Sequence, residues 1–167
     1  MKVAVVDHGY NLGILKGLFE SPELLRTQGL ESVGLEPIVV YRREPQRQGA
    51  VERTQKLYDN AEQLVVTYEQ ALERLRALAG DIGMLVVANT LGGDCDGLDL
   101  IGDVRRGRLG EQLKDIPTAI IADFGDPLSS HDELAGLRIN MFLDYIIFDK
   151  VQDALLAYIR KLEQEKS

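Results

Sequence analysis

Several polar residues stand where short apolar runs end, and their types could do chemistry. Asp7 and His8 follow Val3-Ala4-Val5-Val6. A carboxylate next to an imidazole can hold a cation or move a proton. Asn89 and Thr90 follow the run from Ile82 to Ala88, and Asp123 follows Thr118 to Ala122. An apolar run of this length reads as a buried parallel strand that delivers the next residue to its carboxyl end. Open α/β sheets bind ligands at that edge. Asp7, His8, Asn89, Thr90 and Asp123 are therefore the candidate ligand pocket.

Other constellations meet only part of a chemical requirement. Asp94, Asp96 and Asp99 with Gly97 have the look of a calcium loop, but the first ligand position would be Gly92 and the twelfth is Asp103. A working loop needs a side-chain oxygen at the first and a bidentate glutamate at the twelfth. The sequence predicts a solvated turn with capping aspartates there, and no metal site. Gly9-Tyr10-Asn11-Leu12-Gly13 lacks the spacing of a phosphate-binding fingerprint. Cys95 and His131-Asp132-Glu133 hold the residue types of a thiol nucleophile and its base. Carboxylates at Asp94 and Asp96 flank the thiol, however, and would raise its pKa. Asp123-Phe124-Gly125 matches the kinase magnesium triplet by letters alone. No catalytic residue and no cofactor is assigned, and an enzyme is the lesser expectation.

The elements needed to position these residues can be read along the chain. Val3–Val6 is a strand, and Ile14, Leu15, Leu18 and Phe19 fall at helical spacing. Ser21-Pro22-Glu23 reads as an N-cap with proline at the first helical position. Pro37–Tyr41 is a strand. Arg42–Asn60 is polar: Gln46–Gly49 is predicted as a loop, followed by a short helix or a hairpin arm. Gln63–Thr67 reads as a strand leading into a helix, or as the start of that helix itself, which ends near Gly80-Asp81. After the Ile82–Ala88 strand come a glycine-rich loop, a helix from Leu98 to Arg108 and the Thr118–Ala122 strand. Ser129 or Ser130 caps a further helix, Tyr145–Phe148 is the last strand, and Val151–Glu165 closes the chain with Leu155, Ile159 and Leu162 on one face. Alternating strands and helices predict an α/β fold: a doubly wound parallel sheet of five or six strands in a three-layer αβα sandwich.

Composition bounds the rest. The 167 residues suit one domain spanning 1–167. A net charge of −8 argues against nucleic acid, which demands a cationic face. No apolar run approaches the roughly 20 residues of a bilayer span, and Met1–Asp7 does not read as a secretory signal. Cys95 is the only cysteine, which excludes an internal disulfide. Cytoplasmic residence is the expectation.

The order Asp81–Tyr145, with Cys95-Asp96-Gly97-Leu98-Asp99, Lys114-Asp115-Ile116-Pro117-Thr118 and Asp144-Tyr145-Ile146-Ile147, resembles the second half of a response-regulator receiver domain. That resemblance implies a flavodoxin-like fold, with an insertion at about 42–62. Receivers use an acidic pair after the first strand and a phosphoaccepting aspartate after the third. They also use a hydroxyl after the fourth strand and a lysine after the fifth. Asp7 falls at the first acidic position. His8 replaces the second acid, Asn89 the phosphoacceptor, Ala122 the hydroxyl and Phe148 the lysine, so four of these five roles are missing. An amide is too poor a nucleophile to form an acyl phosphate. The resemblance thus implies a pseudo-receiver, acting through contacts with a protein partner or as a homo-oligomer. Met141-Phe142-Leu143, Phe148 and Tyr158 supply the aromatic and methionine side chains enriched at interface cores, and Phe142, Phe148 and Tyr158 are the interface candidates. The opening Val3–Gly9 also resembles, over a short stretch, class I glutamine amidotransferases, whose catalytic pair would correspond to Cys95 and His131.

Overall fold

A computed structural model of the chain describes residues 1–92, 96–122, 136–144 and 148–166. Six parallel strands form one sheet in the order β3-β2-β1-β4-β5-β6. They are β1 (Lys2–Asp7), β2 (Gly34–Tyr41), β3 (Val65–Thr67), β4 (Met84–Ala88), β5 (Thr118–Ala122) and β6 (Met141–Asp144). The helices with bounds among the described residues are α1 (Leu12–Phe19), α2 (Pro22–Thr27), α3 (Glu44–Gln55), α4 (Ala61–Leu64), α5 (Tyr68–Leu78), α6 (Asp96–Arg105) and α7 (Phe148–Lys166). The α/β sandwich predicted from the apolar runs is present.

The central strands are apolar on both faces because both faces are covered. Val3, Val5, Met84 and Val86 pack with Leu15, Val51, Leu155 and Ile159. Ala4, Val6, Leu85 and Val87 pack with Leu75, Leu100, Ile101 and Val104 on the other side. The strand order reverses between β1 and β4, where Val6 stands opposite Val87. Chain connections leave that point in opposite directions, so a crevice opens at the carboxyl ends of these two strands.

Helix ends follow local chemistry. The Ser21 side chain accepts from the Leu24 amide, as its position before Pro22 predicts. Thr67 accepts from the Gln70 amide while Gln70 Oε1 accepts from the Thr67 amide, a reciprocal pair that separates β3 from α5. The strand-then-helix reading is right from Val65 onward, but Gln63 and Leu64 belong to α4 and the strand is only three residues long. Without β3, the remaining order is that of a five-stranded flavodoxin-like sheet, and β3 adds an outer strand beside β2.

Two sequence-based expectations are corrected. Gln46–Gly49 is not a loop but part of α3. That helix buries only Ala50, Val51 and Thr54, so no extended apolar stripe betrays it. Its start is fixed instead by Gln46, whose Oε1 accepts from the Arg42 and Arg43 amides at 3.0 and 3.1 Å. A strand the sequence reading missed lies at Met141–Asp144, and Phe148, expected to end a strand, begins α7. Asn140 sets this register: its amide donates to the Thr118 carbonyl and its Oδ1 accepts from the Thr118 amide. Leu143 is buried and Met141 packs on the core, while Phe142 faces outward with 46% exposure. This is the alternation of a strand covered on one face. Tyr145–Ile147 and the helix predicted at Ser129–Leu134 lie outside the described residues.

Candidate functional site at the carboxyl ends of the strands

Asp7 ends β1 inside the crevice, with only 1% of its surface exposed. Its Oδ2 accepts from the Gly9, Asn11 and Leu12 amides at 3.0, 2.9 and 3.0 Å. Its Oδ1 accepts from Asn11 Nδ2 at 3.0 Å. The first amides of α1 thus close on a carboxylate from the same chain, which also sits favourably at the positive end of the helix dipole. Gly9 makes the return possible, since its φ of +101° is one that side-chain-bearing residues rarely adopt. Two consequences follow. Asp7 is a helix-capping group, and the position where a helix N-terminus would receive a phosphate is filled by the protein itself.

His8 follows on the same turn. Its Nδ1 accepts from the Tyr10 amide at 3.3 Å, which places the neutral ring's proton on Nε2. The ring meets Tyr10 edge-on, with centroids 4.8 Å apart, and Nδ1 lies 3.9 Å from Asp7 Oδ1. Tyr10 itself is 63% exposed.

Across the crevice, Asn89 is the first residue after β4 and is fully buried. Its amide donates to the Ile121 carbonyl and its carbonyl accepts from Gly97. The start of α6 presses against it: a Cβ on Gly97 would lie 2.0 Å from the Ala88 carbonyl oxygen. Only glycine fits there, which is the physical content of the Asp96-Gly97 pair after a glycine-rich loop. The side chain of Asn89 is another matter. Neither Oδ1 nor Nδ2 has a hydrogen-bond partner among the described residues. A buried amide in that condition carries its full desolvation cost. Thr90 is half-buried beside it, and Asp123 lies outside the described residues.

Asp96 is a structural carboxylate. It is 4% exposed, accepts from the Leu91 amide and faces Arg42 Nε at 3.6 Å. Arg42 stacks over Tyr68, 4.7 Å from the ring centroid. The Tyr68 hydroxyl donates to Asp103, which is also held by Arg106 and Arg108. Burial, then the Asp103 charge, pushes the Tyr68 pKa well above its ordinary value. This chain of contacts ties β2, α5 and α6 together. Asp94, Cys95 and His131 lie outside the described residues.

Two arginines escape a reading of the sequence. Arg105 is buried and donates to four backbone carbonyls, those of Leu137, Lys114, Ile116 and Arg138. Burial and the neighbouring Arg138 lower its pKa from the usual arginine range. Arg53, from α3, reaches the β1 loop: Nη2 donates to the His8 carbonyl at 3.0 Å, and the guanidinium lies 4.1 Å from the Tyr10 ring centroid. Neither the Arg53–His8 nor the Arg105–Leu137 contact has a linear signature, since each joins segments more than thirty positions apart. The one hint is an arginine-rich, polar Arg42–Arg53 segment.

Of the interface candidates, Phe142 is exposed on the edge strand, while Tyr158 is half-buried against the core. Burial also raises the Tyr158 pKa. Phe148 is the first residue of α7.

No protein-family model and no curated protein matches the chain. Among solved structures, a response regulator receiver domain from Rhodospirillum rubrum is similar, with a TM-score of 0.51 and 14% identity. The match covers 96% of this chain and 94% of that one. The likeness is one of fold, and the sheet is a receiver-like, flavodoxin-like αβα architecture. It extends over nearly the whole chain, beyond the half in which sequence motifs carry the resemblance.

Proposed function

We propose that the protein is a pseudo-receiver: a module that keeps the receiver architecture without its phosphorylation chemistry and acts by contact with another protein or a second copy of itself. The observation that carries this reading is the exchange of roles at the crevice. The place of the phosphoacceptor holds a buried amide, Asn89, and the acid of β1, Asp7, is engaged by four N–H groups of its own loop and helix. A carboxylate saturated in this way has little left for a cation, and an amide has no lone pair basic enough to attack phosphorus.

Phe142 and Tyr158 support a contact surface along β6 and α7, since Phe142 is a large exposed apolar side chain on an edge strand. Phe148 extends that proposal to the start of α7. Among the described residues no helix is long and apolar enough to cross a membrane.

Intact-mass spectrometry after treatment with acetyl phosphate and Mg²⁺ tests the chemical half, and the expected result is an unmodified mass. A stoichiometric phosphate adduct that hydroxylamine removes would overturn it. Sedimentation and partner recovery with Phe142→Glu test the contact half. The substitution is expected to weaken association while leaving the melting temperature near that of the parent.

A further inference from the structure

The guanidinium of Arg53 is the most pre-organised cation among the described residues of the carboxyl edge. Glycines flank it on two sides: a Cβ on Gly9 would lie 3.3 Å from its Nε, and a Cβ on Gly49 would lie 3.2 Å from its Nη1. Its third neighbour is the Tyr10 ring at 4.1 Å, and Nη2 is fixed by the His8 carbonyl. The side chain therefore lies in a slot built from two segments far apart in the sequence. No carboxylate among the described residues pairs with it, and Nε is buried without a hydrogen-bond partner there. The other arginines of this region differ: Arg42 leans on Asp96, and both Arg42 and Arg43 have their amides taken by Gln46. The carboxylate of this loop, Asp7, is already matched by four N–H donors.

Charge around this slot runs against the rest of the molecule. Arg42–Arg53 contains four arginines (Arg42, Arg43, Arg47, Arg53) against two glutamates (Glu44, Glu52), a local balance of +2 in a chain of −8. A fixed guanidinium in a positive neighbourhood is suited to an oxyanion, carboxylate or phosphate, that it can meet with parallel N–H groups. Tyr10 adds a second requirement. The ring carries the guanidinium on one side, yet 63% of the residue remains exposed. The His8 ring meets Tyr10 edge-on at 4.8 Å, and the exposed aromatic surface left beside a cation favours a flat ring packed on it.

We infer that the Arg53–Tyr10 slot, at the edge of the crevice after β1, binds a small anionic molecule that carries an oxyanion for Arg53 and a planar ring for Tyr10. A nucleoside monophosphate meets both demands, and so does an aromatic carboxylate. Asp7 bars the mode in which a phosphate sits on the α1 N-terminus, so the ligand is held from α3 instead. This site stands independently of the pseudo-receiver reading, since it uses neither Asn89 nor the β6 face.

The test is a titration of the full chain labelled with ¹⁵N, following the Arg53 Nε–H and the Gly9, Tyr10 and Gly49 amides. The probes are inorganic phosphate, adenosine monophosphate, benzoate and adenosine. Saturable shifts at these groups are expected with the monophosphate and benzoate, weaker ones with phosphate, and none with adenosine. A stronger response to the monophosphate assigns a phosphate source, and a stronger response to benzoate a carboxylate source. Arg53→Met is expected to weaken the tighter ligand by at least about tenfold, the scale of a charge-assisted hydrogen bond. Arg26→Met, an exposed arginine on α2, is the charge-matched control and should bind as the parent does. Should Arg53→Met fail to fold, Tyr10→Ala probes the same slot through an exposed side chain and should weaken the monophosphate more than phosphate. The inference is overturned if no anion shifts these groups. It is equally overturned if adenosine shifts them as the monophosphate does, or if binding survives in the variants of the slot.

Discussion

The loops after β1 and β4 face each other across the same crevice, and the same sheet holds them, yet their polar side chains end in opposite states. After β1, a carboxylate gathers three amides and a side-chain N–H, and the turn closes around it. After β4, the backbone is just as tightly held, but the Asn89 amide is buried with nothing among the described residues to meet it. Polar burial near the switch point is therefore no single phenomenon. One loop uses its polar group to build the fold, and the other keeps a polar group at a cost to the fold. A residue retained at a cost points to function more strongly than one that supports structure.

The sharpest way to break this comparison is Asp7→Ala. The exchange strands three buried amides and removes a helix cap, and a loss of about 3 kcal/mol is expected from urea unfolding. A metal-site carboxylate would behave in the opposite sense, because removing one of several clustered acids relieves repulsion in the metal-free protein. A variant more stable than the parent would thus reverse the role given to Asp7.

Gly97→Ala probes the backbone of the β4 side and should cost about 2 kcal/mol, since the new methyl meets a carbonyl oxygen that belongs to a central strand. Thermal or urea unfolding reads it. Asn89→Leu, of similar volume, has the contrary sign. Removing a buried, unmatched amide is expected to leave stability unchanged or raise it by about 1 kcal/mol. A loss of several kcal/mol would show the amide to be well satisfied and the contrast between the loops to be false.

Mg²⁺ provides a smaller effect. At roughly 5 mM it should leave the melting temperature unmoved, because a ligand stabilises only where its concentration exceeds its dissociation constant. A shift of several degrees would show that Asp7 retains capacity for a cation.

The weakest effect belongs to alkaline pH. Burial, then the charges of Glu20 and Glu36, pushes the Tyr58 pKa up to about 12, and the Tyr68 pKa rises further. Between the unfolded value near 10 and the folded value, the folded chain holds more protons. Stability contributed by these groups is then complete below about pH 10 and declines above it. Absorbance at the phenolate band should rise together with unfolding, and early independent ionisation of all six tyrosines would contradict it.

How much of the molecule is legible in its sequence follows how local each cause is. β5 reads correctly to the residue because Thr118–Ala122 is apolar on both faces and bounded by Pro117. The Ser21 cap is visible for the same reason, its partner lying three positions away. The start of α3 is hidden because its buried residues cluster at Ala50, Val51 and Thr54, and Gly49 interrupts any helical pattern. Met141–Asp144 escapes the sequence reading because Tyr145–Phe148 carries the denser apolar run, while the register of β6 is set by the Asn140–Thr118 pairing across the sheet. At the candidate site, the sequence locates Asp7, His8, Asn89 and Thr90 at one edge. It does not reveal that Asp7 is engaged while the Asn89 side chain meets no partner among the described residues, since that depends on where Gly9 turns and how closely Gly97 approaches. Arg53 is invisible because its slot is assembled from Gly9 and Gly49, about forty positions apart.

Arg105 sets a rule about which parts of this chain can change length. Its guanidinium holds carbonyls on both sides of β5, Lys114 and Ile116 before it and Leu137 and Arg138 after it. The α6–β5 connection and the approach to β6 are thereby fastened to one planar group, with spacings fixed by its geometry. An inserted residue in either stretch would pull a carbonyl off the guanidinium, and a lysine could not span the set because it lacks the fork. Variation in loop length among descendants of this sequence should accordingly avoid 106–117 and 137–140 and collect where no such fastening exists, as at the exposed turn around Asp59 and Asn60.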